Sequence, residues 1–272
     1  MKTKFWRKYN RAIIPREAPH ILVDSQNIIS IIKCNKVLFA RWVTNFDCKE
    51  KMNFWYIIKD NSSEISSYST NTRNQIRKGL KNFKIRIVDK SEIMNKGYDI
   101  YKQAFKNYEG PKKIKDKNIF LLDLEDNFHF WGIYNKEKEL IGYAQNRILN
   151  NSCDYSTIKV DPKYLRDYPY YALFYEMNRY YLSKMKLQYV SDGSRSILHQ
   201  TNIQDFLVTK FKFRKAYCKL NIIYHPMIKP IVFFIYPLRK ILQFFPFNFF
   251  YNLNKLLFQE EIRRHPLTEK RC

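Results

Sequence analysis

Three apolar runs succeed one another near the middle of the chain, at residues 128–134, 140–149 and 153–160, with only short polar breaks between them. The first break, 135–139, has the length and polarity of a hairpin turn, and the third run stops at Asp161-Pro162, where proline withdraws an amide from any continuing ladder. A three-stranded meander exposes an apolar face that another layer must cover. On either side of it the apolar period lengthens to that of helices, so residues 71–224 read as helix, strand, helix, three strands, helix, strand, helix and strand. That order predicts an α/β (α+β) three-layer domain with a mixed, mostly antiparallel sheet, and excludes a helix bundle or a closed barrel.

The flanking elements follow from local signals. Residues 37–43 and 54–58 are short β-rich runs, so an N-terminal β-containing segment is expected over 1–66, ending in a Ser-rich linker at 61–69. Thr72 and Gln75 read as a capping box, after which Arg73, Arg77 and Lys81 recur on one face and Ile76 and Leu80 on another, which predicts a short helix with a basic stripe. Residues 85–88 read as a strand, and Tyr101, Ala104, Phe105 and Tyr108 as one face of a helix ended by Gly110-Pro111. Beyond Pro169, the spacing of Leu173, Met177, Tyr180, Tyr181 and Met185 predicts one long helix, followed by a strand at 187–190. Thr201 and Gln204 form a second capping box before Ile203, Phe206, Leu207 and Phe211, and a strand at 217–224 closes a domain spanning 67–225. A basic, aromatic C-terminal tail, 226–272, remains and is expected to be helical in pieces.

Composition narrows the function classes. With 272 residues and 45% hydrophobic content the chain can fill a core. Its 49 Lys and Arg against 25 Asp and Glu leave +24, which implies an anionic partner such as RNA, a lipid headgroup or a phosphorylated cofactor, unless it reflects a coding bias toward Lys, Asn and Ile. The five cysteines, Cys34, Cys48, Cys153, Cys218 and Cys272, have neither CxxC nor metal-ligand spacing, and their odd number speaks for reduced thiols. Residues 1–19 lack the apolar stretch of a signal peptide, so a cytoplasmic chain is expected. No metal site, Ser-His-Asp order, HExxH or Walker sequence is present, which removes hydrolase, zinc-protease and P-loop readings.

Several segments resemble the GNAT acetyltransferases. Residues 130–134 and 140–144, Phe-Trp-Gly-Ile-Tyr and Leu-Ile-Gly-Tyr-Ala, are similar to that superfamily's central hairpin, and residues 158–164, Ile-Lys-Val-Asp-Pro-Lys-Tyr, to the end of its fourth strand. Asn202 followed by residues 206–213 is similar to its last helix and strand entry. The basic helix at 72–78, Thr-Arg-Asn-Gln-Ile-Arg-Lys, resembles an element of the Fem-like branch, which includes enzymes adding amino acids to peptidoglycan precursors and relatives with acyl-CoA donors. The resemblance covers roughly residues 70–225 and implies a GNAT-like three-layer domain with an acyl-CoA donor and no metal. One departure stands out. The loop that in GNAT enzymes holds the CoA pyrophosphate on bare glycine amides reads Arg166-Asp-Tyr-Pro-Tyr-Tyr-Ala172 here, without glycine. The donor is thus acetyl-CoA, another acyl-CoA or an aminoacyl-tRNA.

The segment 191–201 concentrates an acid, hydroxyls, a guanidinium and an imidazole between a strand end and a helix start. Acyl transfer needs a base near pH 7, so His199 is the expected base, with Asp192 orienting it or binding the acceptor. Ser194 and Arg195 are candidate acceptor contacts, and Arg73 and Arg77 candidate contacts to an anionic substrate. Val160, Lys163, Arg166 and Asn202 are the candidate donor contacts, through a strand amide near Val160 and cations beside the presumed pyrophosphate loop. Asp154 and Tyr155 stand where relatives place a carboxylate base, and Tyr217 is a candidate acid. Helix capping, solvation and packing account for each of these residues equally simply.

The expected activity is transfer of an acyl group from acyl-CoA to an amine or hydroxyl of a polar acceptor, glycan or lipid-linked, with an aminoacyl-tRNA-dependent variant. The other class is a non-catalytic RNA-binding or membrane-surface protein. The tail's aromatic clusters suit a peripheral position on an anionic membrane or, alternatively, packing on the N-terminal portion to complete its core. Its longest apolar stretch, 231–250, is cut by Pro237, Arg239, Lys240 and Pro246, too broken to span a bilayer.

Overall fold

A computed structural model describes residues 5–106, 114–197, 202–242 and 248–268. Among them, ten strands paired in mixed directions and nine helices make an α+β fold. The chain divides into two compact units, one made of Met1–Ile57, Ser194–Asn202 and Lys215–Cys272, the other of Ile58–Gly193 and Ile203–Arg214.

The first unit contains β1 (Trp6–Tyr9), β2 (Ala12–Pro15), α1 (Ile28–Cys34), β3 (Phe39–Cys48) and most of β4 (Phe54–Lys59). The strand order is β1-β2-β3-β10-β4, where β10 is Arg214–Tyr224. β1 and β2 form an antiparallel hairpin, β2 runs parallel to β3, and β10 lies antiparallel to β3. The hairpin and α1 are elements that the sequence reading left blank, since their apolar stretches are only four to seven residues long. The tail supplies α7 (Ile228–Ile235), α8 (Arg239–Leu242) and α9 (Asn248–Arg264), and its Val232 and Ile262 are buried with Phe39, Val43, Phe54, Leu220 and Tyr224. Its end is clamped by Asn53, whose Nδ2 donates to the carbonyls of His265 and Leu267 at 2.8 and 2.9 Å.

The second unit holds α2 (Thr70–Asn82), β5 (Lys84–Val88), α3 (Lys90–Lys106), α4 (Lys117–Leu122), β6 (Phe128–Tyr134), β7 (Leu140–Leu149), β8 (Ser152–Val160), α5 (Pro169–Asn178), β9 (Tyr189–Ser194) and α6 (Asn202–Phe211). Its strands lie in the order β9-β8-β7-β6-β5. β5 to β8 are antiparallel neighbours, and β9 alone runs parallel to β8. One face is packed by Ile93, Ile100 and Tyr101 of α3 and Phe120 of α4 against Phe130 and Tyr143. On α5 and α6, Leu173, Phe174, Met177, Leu207 and Phe211 are fully buried, each contributing roughly 1.5–3 kcal/mol of burial.

Two local expectations are corrected. α2 is capped by Ser69, whose Oγ accepts from the Thr72 amide, so Thr72 sits inside the helix and its hydroxyl bonds Ser69 at 3.0 Å. The expected long helix after Pro169 ends as α5 at Asn178 and continues as a π-helical turn, Arg179–Lys184, which brings Tyr181 fully inside. Tyr108 and Gly110-Pro111, expected to end α3, lie outside the described residues.

Candidate active site at the parting of two strands

β8 and β9 pair over Ser152↔Tyr189, Cys153↔Val190 and Asp154↔Ser191, and the ladder goes no further. Two local features coincide with its end. On β8, Tyr155 faces Asn146 and Thr157 faces Gln145, so Ser156 is a bulge residue, and a bulge bends and twists its strand. On β9, Gly193 has φ +81°, a conformation glycine adopts without strain. Past Ser156, β8 stays paired to β7 but has parted from β9.

The orientation of the freed backbone groups follows from one hydrogen bond. The Asp161 amide donates to the Ile141 carbonyl on β7 at 2.9 Å. Because backbone groups alternate sides along an antiparallel ladder, the amides of Val160 and Ile158 point to the edge away from β7. They are donors aimed into the parting.

Two carboxylates stand at its origin. Asp154 is the last paired residue of β8, and Ser156 Oγ donates to its Oδ2 at 3.1 Å. Asp192 follows Ser191, the residue opposite Asp154, and a Cβ on Gly193 would lie 4.0 Å from Asp154 Oδ1. The Asp192 carboxyl is pushed up to about 7, first by burial and then by the neighbouring Asp154, while a hydrogen bond with Gln204 on α6 pulls the other way. The result is a carboxyl that titrates near neutrality at the origin of the parting.

Beyond β8 the chain makes a 3-10 turn, Pro162–Asp167, and enters α5 through Tyr168 at φ 64°. Five amides of this loop and the first turn of α5 are engaged: Lys163 with Asp161 Oδ1, Tyr164 with the Asp161 carbonyl, Tyr168 with Leu165, and Tyr171 and Ala172 with Tyr168. Pro169 has no amide to give. α2 braces the loop, since Lys78 Nζ lies 3.6 Å from Asp167 and 5.0 Å above the Tyr168 ring. Behind the parting, Trp131 Nε1 donates to Tyr181 Oη at 2.9 Å, and Tyr155 Oη to Asn178 Oδ1 at 2.8 Å. Burial drives both phenols far above their ordinary range, so they position the strands as neutral hydroxyls.

With that geometry in hand, solved structures provide the comparison. The chain is similar to the crystal structure of FemX with a TM-score of 0.59 at 9% identity, covering 83% of this chain and 85% of that one. The fold is GNAT-like and Fem-like. The chain is also similar to the crystal structure of a conserved protein of unknown function from Bacteroides thetaiotaomicron VPI-5482, with a TM-score of 0.50 at 12% identity, over 73% of this chain and 74% of that one. No family model matches the sequence, and no curated protein matches it.

The sequence-derived candidates fall at separate places on the Fem-like fold. Asp192 and Val160 are at the parting, whereas His199 lies outside the described residues. Lys163 and Arg166 are exposed on the loop before α5, Asn202 is exposed at the first position of α6, and Ser194 ends β9. In the first unit, Arg195 donates to the Asn53 carbonyl at 2.5 Å and lies over Trp55 and Phe258, at 4.5 and 5.2 Å, so its fork is held by its own unit. Tyr217 packs edge-on to Trp55. On α2, Arg73 donates to the Ser66 carbonyl and to Thr70 Oγ1 at 3.2 Å each, and Arg77 is exposed. The pairing of Asp154 with Asp192 has no sequence signal, because it is created by strand register. Among the described residues no group of three or more His, Cys, Asp or Glu side chains is placed to hold a metal ion.

Proposed function

We propose that this chain is an acyltransferase in which the parted edge of β8 receives the donor carbonyl and Asp192 accepts the proton of an attacking amine or hydroxyl. The observation that carries the reading is the Asp192 carboxyl at about 7 at the point where β9 parts from β8, whose Ile158 and Val160 amides face the gap further along the strand. A base whose pKa matches the ambient pH combines adequate basicity with a populated ionised form. As the acceptor attacks, the carbonyl π electrons move onto oxygen, where backbone amides of the parted β8 edge stabilise the charge. Collapse of that intermediate re-forms the carbonyl, breaks the bond to the leaving group and returns the proton from Asp192 to it. The acceptor is polar, of the glycan or lipid-linked kind that the Fem-like resemblance implies.

Of the two donors, an aminoacyl-tRNA is favoured over acyl-CoA by the state of the loop before α5. A pyrophosphate is held at a helix N-terminus by amides with no other partner, and the amides of Lys163, Tyr164, Tyr168, Tyr171 and Ala172 all have partners. The +24 charge suits a polyanionic donor, and Arg77, Lys163 and Arg166 are exposed cations on the same unit. The test is a pair of titrations on the purified protein, one with CoA and acetyl-CoA read as thermal stabilisation, one with tRNA read as fluorescence anisotropy at low and high salt. Salt-sensitive tRNA binding without a CoA shift supports the aminoacyl reading. A CoA shift without tRNA binding returns the donor to acyl-CoA, and neither response removes the transferase proposal.

A further inference from the structure

The helical run from α7 through a 3-10 turn, Tyr236–Leu238, into α8 presents an apolar row to the outside. Met227, Ile231, Phe234, Leu238 and Ile241 are spaced four, three, four and three residues apart, which places them on one face of a helix. Their exposures are 74, 50, 73, 51 and 60%, while Val232 and Tyr236 on the opposite face are buried at 3 and 6%. The run therefore already has its core-facing side. An apolar row this exposed has no role in the packing of its own unit.

Charge indicates what covers it. Lys229, Phe233 and Lys240 form a row at the edge of the exposed face, beyond Pro230 and Pro237, and the two lysines are exposed and in no ion pair among the described residues. From residue 206 to residue 259 the sequence contains no Asp or Glu. The acid packed nearest this helix, Glu261, is paired with Arg239 and accepts a hydrogen bond from Tyr236 Oη at 3.1 Å. Among the described residues no helix is long and apolar enough to cross a membrane. Apolar and aromatic side chains on one face, cations along its edge and no competing acid are the arrangement of a helix lying in a bilayer interface. A second protein copy would bring the same positive edge against itself, which charge disfavours.

We infer that this face, built on Met227, Ile231, Phe234, Leu238 and Ile241, docks the protein on an anionic lipid bilayer, with the helix lying flat at the level of the headgroups. The inference is independent of acyl transfer, and its test contains neither donor nor acceptor. Full-length protein is floated with phosphatidylcholine vesicles and with vesicles that also contain phosphatidylglycerol, beside the double variants Phe234→Asp/Leu238→Asp and Lys229→Glu/Lys240→Glu. The wild type should float with the anionic vesicles and not with the neutral ones. The first variant should lose at least tenfold of the bound fraction with an unchanged melting temperature, and the second should lose binding most at low salt. A milder pair, Phe234→Ser/Leu238→Ser, replaces the aspartates if their melting temperature falls. Wild-type protein that stays in the bottom fraction, or an aspartate variant that floats like the wild type, overturns the inference. So does a wild-type dimer in sedimentation that the aspartate variant dissociates, since the face would then belong to a second copy.

Discussion

A Cβ added to Gly79 would stand 2.5 Å from the carbonyl oxygen of Tyr168. Ala172 closes the remaining space, with its Cβ and amide nitrogen at 3.1 and 3.2 Å, so α2 and α5 meet as they do because residue 79 has no side chain. Gly79→Ala should push the helices apart and destabilise the protein by about 1–3 kcal/mol, read as a lower urea midpoint. Because Tyr168 also carries the turn of the proposed donor loop, the KM for donor should rise more than kcat falls. An unchanged midpoint would show that the two helices yield freely at this contact.

Asp192 makes two pH predictions. Its folded carboxyl binds a proton up to about 7, whereas an unfolded one releases it near its ordinary 3.8. Between those values the native state holds more protons than the unfolded state, so this residue lowers stability as pH rises through that window. Asp192→Asn should therefore gain stability relative to the wild type from pH 4 to pH 8, measured by denaturant titration at several pH values. In the transfer assay the wild-type rate should rise with an apparent pKa near 7, and the asparagine variant should lose about 100-fold or more in kcat.

His199 is the competing base, and its variant separates the two. If Asp192 takes the proton, His199→Ala should keep the inflection near 7 in the pH–rate profile, whatever its effect on KM. Loss of that inflection, with kcat reduced as far as in Asp192→Asn, would give the role to the histidine.

In the first unit, Glu260 is 1% exposed and binds Arg263, Arg264 and Tyr224, whose Oη donates at 2.9 Å. Burial alone would raise its carboxyl, but the hydrogen bonds from Arg263, Arg264 and Tyr224 outweigh it and hold it below the ordinary range. A depressed pKa contributes stability above the unfolded value that is lost as pH falls through the folded one. Glu260→Ala should thus cost about 1–3 kcal/mol at neutral pH, since the buried Tyr224 hydroxyl and two partly exposed arginines lose their partner, and less in acid. Equal destabilisation at pH 7 and below pH 4 would mean that packing, not charge, is lost.

Elements whose signal is local are legible in adjacent residues alone. β6 and β7 fall where the apolar runs at 128–134 and 140–149 place them, because alternation and a polar turn are properties of adjacent residues. Where two hydroxyls competed for one cap, sequence placed it on Thr72 and the fold chose Ser69, the one whose Oγ reaches an amide of the first turn. The break of α5 into a π-helical turn was equally hidden, since Tyr180 and Tyr181 satisfy helical periodicity and only the buried bond between Tyr181 and Trp131 selects the wider turn. Tertiary structure alone decided two larger matters. It gathered Met1–Ile57 and Lys215–Cys272 into one unit, because the hairpin buries Trp6 and Ile13 with α1 and β3 while the tail buries Val232 and Ile262 with β3, β4 and β10. It also set Asp192 beside Asp154: carboxylates on separate strands have no sequence relation until parallel register and a bulge at Ser156 bring them together, and burial, then the neighbouring Asp154, raises the Asp192 carboxyl to about 7.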